Sequence, residues 1–296
     1  MKVVNVIGGL GNQMFQCAFA LALKIAENTD EVKLDVSHFN GYGLHNGFEI
    51  MRVFPNYPIR VAKKEEIKKL TWYIPSYKFS RIARRVLPKR KTEYLQPYCD
   101  SYIYTSTPFT IHGDVYFEGY WMCPAYFDFC KDEIIRAFEF KQFDKEENRE
   151  WASLLASENS ITIHIRRGDY VGAESFKDIC TLTYYRNAIA EARKLIENPA
   201  FFVFSNDQEW CKENLKDVLD NSVAHYVSNN KGQESYRDMQ LMSLARCNIL
   251  ANSSFSWWGA YLNQRKDHIV FCPNKWVNNF EHKDHYVNSW KKIEIV

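Results

Sequence analysis

The chain opens on the β-branched run Val3-Val4-Asn5-Val6-Ile7, breaks at Gly8-Gly9-Leu10-Gly11-Asn12, and then places Met14, Phe15, Ala18, Leu21, Ala22 and Ile25 at helical spacing. A second apolar run at Val32-Lys33-Leu34-Asp35-Val36 completes one predicted βαβ unit. Residues 40–125 are rich in Tyr and Pro and carry few clear periods, so no topology follows from them. From Asn159 the pattern becomes regular. Apolar strand candidates at 161–165, 201–204, 223–227, 247–251 and 268–272 alternate with helical stretches near 183–197, 207–215, 233–245 and 255–264. Strict alternation of this kind predicts a parallel sheet covered on both faces. The charged stretch 141–158 precedes it, so the expected organisation is α/β with domains 1–155 and 156–296, in keeping with ~150 residues per domain.

Composition narrows the picture. With 46% hydrophobic and 25% charged residues, disorder and collagen-like repeats are excluded. Lys and Arg number 38 against 36 Asp and Glu, which argues against a surface built to hold nucleic acid. That balance conceals a basic segment. Residues 60–91 carry twelve Lys or Arg against Glu65 and Glu66, a local net charge of +10. Within it, a helix is predicted over 78–91, with Phe79, Ile82, Ala83, Val86 and Leu87 opposite Lys78, Arg81, Arg84 and Arg85. The plain reading puts the apolar stripe on the core; the sharper one is peripheral contact with anionic lipid. The uncharged stretch Val3 to Leu23 is broken by Asn5, Gly8, Gly9, Gly11, Asn12, Gln13 and Gln16, so it reads neither as a bilayer span nor as a signal peptide. The expected location is cytoplasmic, at the inner face of the membrane under the sharper reading. Eight cysteines without a C-x-x-C pair are expected to be reduced and mostly buried.

Three strand ends in the second half carry polar clusters, where open α/β sheets bind ligands. In Ile161-Thr-Ile-His-Ile-Arg-Arg-Gly-Asp-Tyr170, alternation puts Thr162, His164 and Arg166 on one face, and Arg166 and Arg167 suit a diphosphate through bidentate bonds. A structural Arg–Asp pair at the turn competes with that reading. Ser205-Asn206-Asp207 could accept from a base or ribose, or cap the following helix. Asn252-Ser253-Ser254 stands at a helix start, an anion site or again a cap. In the first half, Gly8-Gly9-Leu10-Gly11 with Asp35 admits a dinucleotide fingerprint, although Met14 replaces its third glycine. No Walker A sequence, H-E-x-x-H, G-x-S-x-G or D-x-D occurs.

Together, G-G-L-G-N-Q-M-F-Q at 8–16, H-I-R-R-G-D-Y at 164–170, S-N-D-Q-E-W-C-K-E-N at 205–214 and N-S-S-F-S-W-W-G-A-Y-L at 252–262 resemble the motifs of glycosyltransferase family 11, the α-1,2-fucosyltransferases. The segment 117–127 is similar to a further block, departing from it at Met122-Cys123-Pro124-Ala125. The resemblance implies two Rossmann-like domains of the GT-B type around a cleft, GDP-fucose as donor substrate, no metal or cofactor, inversion at the fucose carbon and a galactose hydroxyl, O2, as acceptor. It implies Arg166 on the diphosphate with His164 and Arg167 beside it, and Asn206 and Asp207 near guanine or ribose. Asn252, Ser253, Ser254 and Phe255 are implied near the diphosphate, and Gly9, Gly11 and Asn12 at the reaction centre. Asp169 is the first candidate for the base that takes the hydroxyl proton, with His38, Asp114 and Glu118 as the others. The acceptor is expected to be an oligosaccharide or a lipid-linked glycan. The alternatives are an NAD-dependent oxidoreductase using Gly9, Gly11 and Asp35, and a non-catalytic glycan-binding protein.

Overall fold

A computed structural model describes residues 1–296 apart from Tyr42, Leu44, Asn221, Val296 and the side chain of Asp169. The chain forms two compact units, Met1–Lys141 with Glu281–Tyr286, and Gln142–Phe280 with Val287–Val296. The charged helix Glu146–Leu155 belongs to the second, where Asn148 donates to Asn230 (2.9 Å).

In the first unit, β1 (Lys2–Asn5), β2 (Val32–Asp35), β3 (Glu93–Leu95) and β4 (Val115–Glu118) form a parallel sheet in the order β2-β1-β4-β3. The helix after β1 runs Leu10–Ala26, four residues longer at its start than its apolar spacing predicts. Gly9 supplies the extended entry, and its carbonyl accepts from the N–H groups of Asn12 and Gln13 (3.0 Å each). Every residue from Leu10 to Leu23 except Asn12 is buried, so the uncharged stretch is a buried strand followed by an interior helix. No helix among the described residues is long and apolar enough to cross a membrane. Against this helix, Phe19 stacks on Trp121 (centroids 4.0 Å apart) and meets Phe117 and Tyr126 edge-on at 5.5 Å. Much of the aromatic surplus is therefore core.

The basic helix differs from expectation. Its regular part covers only Tyr77–Ala83, and helix-type bonds carry the turn on to Leu87, the residue before Pro88. Its inward positions are Ser80, Ala83, Arg84 and Leu87, which line a recess with Asp35, His38 and Tyr116. Arg84 anchors it by donating to Glu93 Oε1 (2.7 Å) and Glu118 Oε2 (2.8 Å). The expected apolar stripe is split: Ala83 and Leu87 face inward, while Phe79, Ile82 and Val86 are 67%, 59% and 78% exposed.

The second unit holds β5 (Ser160–Ile165), β6 (Ala200–Ser205), β7 (Ala224–Val227), β8 (Cys247–Ile249), β9 (Ile269–Pro273) and β10 (Lys291–Ile293), all parallel in the order β10-β9-β8-β5-β6-β7. The chain steps outward from β5 to β6 and β7, then returns to the other side of β5 for β8. This is the doubly wound strand order, with its switch point between β5 and β8. Ile161, Ile163 and Ile165 pack under the helix Leu182–Arg193 through Tyr184, Tyr185, Ala188 and Ile189. Their alternates, Thr162 and His164, are buried on the opposite face, as a sheet covered on both sides requires. All eight cysteines are free and Cys99 alone is exposed.

Two buried histidines make stability depend on pH. His164 is held neutral by burial and by the Arg166 charge, and His285 by burial; both pKa values are pushed down to about 3. The unfolded chain binds protons at these sites below about pH 6.5 and the folded chain does not, so stability falls as pH drops through that window. At pH 5 the loss is about 2 kcal/mol per histidine. Urea midpoints measured from pH 7 down to 5 are expected to fall less steeply for His285→Gln than for the parent chain; equal slopes would assign the acid sensitivity elsewhere.

Candidate active site

The switch point gathers the second unit's polar motifs. Beyond β5, the chain turns through Gly168, whose φ of +50° suits glycine, into the single turn Gly168–Tyr170. Asn206, at the end of β6, holds this turn. Its Oδ1 accepts from the Arg167 N–H (3.0 Å), and its Nδ2 lies where a Cβ on Gly168 would approach to 2.5 Å. Asp207 caps the helix Gln208–Asn214 by accepting from the Trp210 N–H (3.2 Å), and its second oxygen accepts from Arg167 Nε (3.2 Å). The Arg167 guanidinium also lies 4.0 Å from the centre of the Trp210 ring. Arg167 is thus paired with Asp207 across neighbouring strands; the expected pair at the turn falls on Asp169, whose side chain lies outside the described residues.

Arg166 occupies a different environment. Its guanidinium stands 5.6 Å from the Tyr170 ring centre, and Tyr170 stacks on Phe176 (4.8 Å). The loop carrying Phe176 is tied back to the end of β8, since Asn252 Nδ2 donates to the carbonyls of Phe176 (3.3 Å) and Trp276 (3.2 Å). Ser253 caps the helix Ser254–Tyr261 by accepting from the Phe255 N–H (3.3 Å), and the Phe255 ring lies 5.9 Å from that of His164. His164 Nδ1 is buried with no hydrogen-bond partner among the described residues. Beyond the switch point, then, a cationic side chain from β5 and a helix N-terminus from β8 supply the positive electrostatics that anions bind. Asp169 lies in the β5 turn, but its side chain is outside the described residues.

The sequence reading missed the residues that fix these strand ends. Tyr185 donates to the His164 carbonyl (3.0 Å) and Tyr184 to the Leu250 carbonyl (2.6 Å), one bond on each side of the switch point. The available signal was Thr181, which caps the helix that carries both tyrosines.

In the first unit, Gly8 (φ +93°) and Gly9 turn the chain from β1 into the helix that contains Gly11 and Asn12. Two glutamines lock that turn. Gln13 Nε2 donates to the carbonyls of Gly8 (2.9 Å) and Gly47 (2.8 Å), while Gln16 Oε1 accepts from the Ile7 N–H (2.9 Å) and Nε2 donates to the Gly119 carbonyl (3.2 Å). Asp35 is buried, accepting from the Ser37 N–H (2.8 Å) and the Tyr116 hydroxyl (2.7 Å). The dinucleotide alternative would have to draw its ribose-binding acid from this buried network. His38, near the end of β2, pairs with Asn5 Nδ2 (3.2 Å), and burial lowers its pKa. Glu118 accepts from Arg84 at the end of β4, whereas Asp114 binds the terminal ammonium (2.7 Å) at the opposite end of that strand. No group of three or more His, Cys, Asp or Glu that could hold a metal ion occurs among the described residues.

Comparison with known proteins gives the family of the chain. The family model of glycosyl transferase family 11 matches residues 85–294. The chain belongs to that family. This family-11 glycosyltransferase is 31% identical to the alpha-1,2-colitosyltransferase of Escherichia coli over 99% of its own length and 98% of that protein. It is 29% identical to the O-antigen biosynthesis glycosyltransferase WbnK of Escherichia coli over 96% and 97% of the two chains. With the human galactoside alpha-(1,2)-fucosyltransferase 1 it shares 35% identity over 34% of this chain and 28% of that one.

Proposed function

We propose that this family-11 enzyme transfers L-fucose from GDP-fucose to O2 of a galactose in a glycan acceptor, with inversion at the anomeric carbon. The observation that carries the reading is the placement of Arg166 and of the Ser253–Ser254 helix start beyond the ends of the two strands that flank the switch point. The second unit is the donor side and the first the acceptor side of a two-domain enzyme of the GT-B type in this reading, with Gly9 and Asn12 facing the reacting sugar and Gly11 buried behind them.

The acceptor hydroxyl attacks the fucose carbon in line with departing GDP, through an oxocarbenium-like transition state. Negative charge grows on the leaving diphosphate oxygen, so the Arg166 guanidinium and the helix N-terminus stabilise the transition state more than the ground state. Arg167 acts differently: Asp207, Asn206 and Trp210 hold it as a strut that keeps the turn carrying Arg166 in place. His164, with its pKa pushed down to about 3, is too weak a base to take the hydroxyl proton. That role falls to Asp169, His38 or Glu118.

A second reading is favoured by the full-length likeness to a colitosyltransferase. Colitose is fucose without its 3-hydroxyl. A site built to hydrogen-bond that hydroxyl rejects the deoxy sugar by about 10⁴-fold. GDP release from GDP-fucose and from GDP-colitose, with a β-galactoside acceptor and a chelator present, separates the readings. The first predicts higher kcat/KM for GDP-fucose and no loss on chelation. The reverse preference replaces it with the second, and no GDP from either donor leaves the glycan-binding alternative.

A further inference from the structure

The helix Tyr77–Ala83 and the turn that follows it present an exposed surface of their own. Between Ile67 and Thr92 there are nine Lys or Arg and no Asp or Glu. Arg84 is committed inward to Glu93 and Glu118, and Arg90 lies 4.9 Å from the centre of the Trp72 ring. Lys68, Lys69, Lys78, Arg85, Lys89 and Lys91 are exposed, and none has a carboxylate partner among the described residues.

The apolar side chains are arranged with these cations rather than with the core. Helix-type bonds continue past Ala83, with Arg85, Val86 and Leu87 donating to the carbonyls of Ile82 and Ala83 (2.7 to 3.0 Å). Phe79, Ile82 and Val86, spaced i, i+3 and i+7, therefore form one outward stripe. Lys78, Arg81 and Arg85 flank it on the remaining solvent face. Ser80, Ala83, Arg84 and Leu87 make the inward contacts, so the element stays attached while its largest apolar groups remain in water. Three neighbouring large hydrophobics left exposed among cations mark an interaction surface. A partner of uniform negative charge above an apolar layer satisfies both features at once, and an anionic bilayer is that partner.

We propose that residues 68–91 dock this enzyme onto an anionic bilayer surface, with Phe79, Ile82 and Val86 entering the acyl boundary and the surrounding Lys and Arg resting on the headgroups. The proposal stands on surface chemistry and is independent of the donor sugar. Flotation of the full chain with phosphatidylcholine vesicles, with and without phosphatidylglycerol, tests it at low and high salt. Binding is expected only with the anionic lipid, weakening as salt rises. Each cation removed lowers the partition coefficient about fivefold, so Lys78→Glu/Arg81→Glu/Arg85→Glu abolishes binding. Phe79→Ser/Ile82→Ser/Val86→Ser weakens binding even at low salt. Both variants change only exposed side chains and are expected to keep the parent melting temperature; Phe79→Ser alone serves should the triple variant lose stability. Equal binding to both vesicle types, parent-like binding by either variant, or binding of a soluble polyanion without vesicle binding overturns the proposal.

Discussion

Arg166→Ala lowers kcat for GDP release about 10²- to 10³-fold while leaving the melting temperature near that of the parent. The size follows from the role. Removing one preorganised donor from a developing oxyanion costs ~2.7 to 4 kcal/mol of barrier, and the leaving diphosphate gathers charge in the same way. The stability expectation follows from position: Arg166 is half-buried beyond the end of β5, whereas the packing of that strand rests on Ile161, Ile163 and Ile165. Arg166→Lys keeps the charge but loses the planar fork, so it recovers only part of the rate. Steady-state kinetics with thermal melts of the same samples checks both halves. A near-parental kcat would remove Arg166 from the reaction, and a collapsed fold would make it structural.

The second large effect is at a residue with no side chain. Gly168→Ala sets a Cβ 2.5 Å from Asn206 Nδ2 in a backbone with φ +50°. Left-handed backbone costs an L-residue roughly 1–2 kcal/mol, and Asn206 must also give up its bond to the Arg167 N–H. The variant is expected to lose about 1–3 kcal/mol of stability. Because Arg166 shares this turn, activity falls about a hundredfold, the scale of a 1 Å misplacement. Asn206→Ser in the Gly168→Ala background relieves the contact but not the backbone strain, so partial recovery of the melting temperature is expected. Parent-like activity in Gly168→Ala would show that the turn does not position Arg166.

The second half of the fold was legible, except for β10, because strands buried on both faces read as continuous apolar runs between helices, whereas β10 has two exposed lysines. The capping readings of Asp207 and Ser253 were equally local, and the structure shows both caps. Other features depend on partners far along the chain. Nothing in Arg166-Arg167 distinguishes the two arginines; Asp207 and Trp210, some forty residues on, make the second a strut. Tyr184 and Tyr185 read as apolar helix positions, and their hydroxyl bonds emerge only when the strands assemble. In the first half, β3 and β4 are three and four residues long amid aromatics, too short to show a period. The basic helix misled for a physical reason. Its amphipathic pattern is real, but the small residues Ser80 and Ala83 face inward, and Arg84 is held there by two carboxylates.

Transfer of fucose to galactose O2 with inversion is tested most directly by the linkage of the product formed from GDP-β-L-fucose and a β-galactoside, read by NMR with the GDP released counted against it. An α-L-fucosyl unit on O2, equimolar with GDP and formed with a chelator present, is the expected product. A β-linkage, attachment at another hydroxyl, or GDP released without a fucosylated product would contradict it.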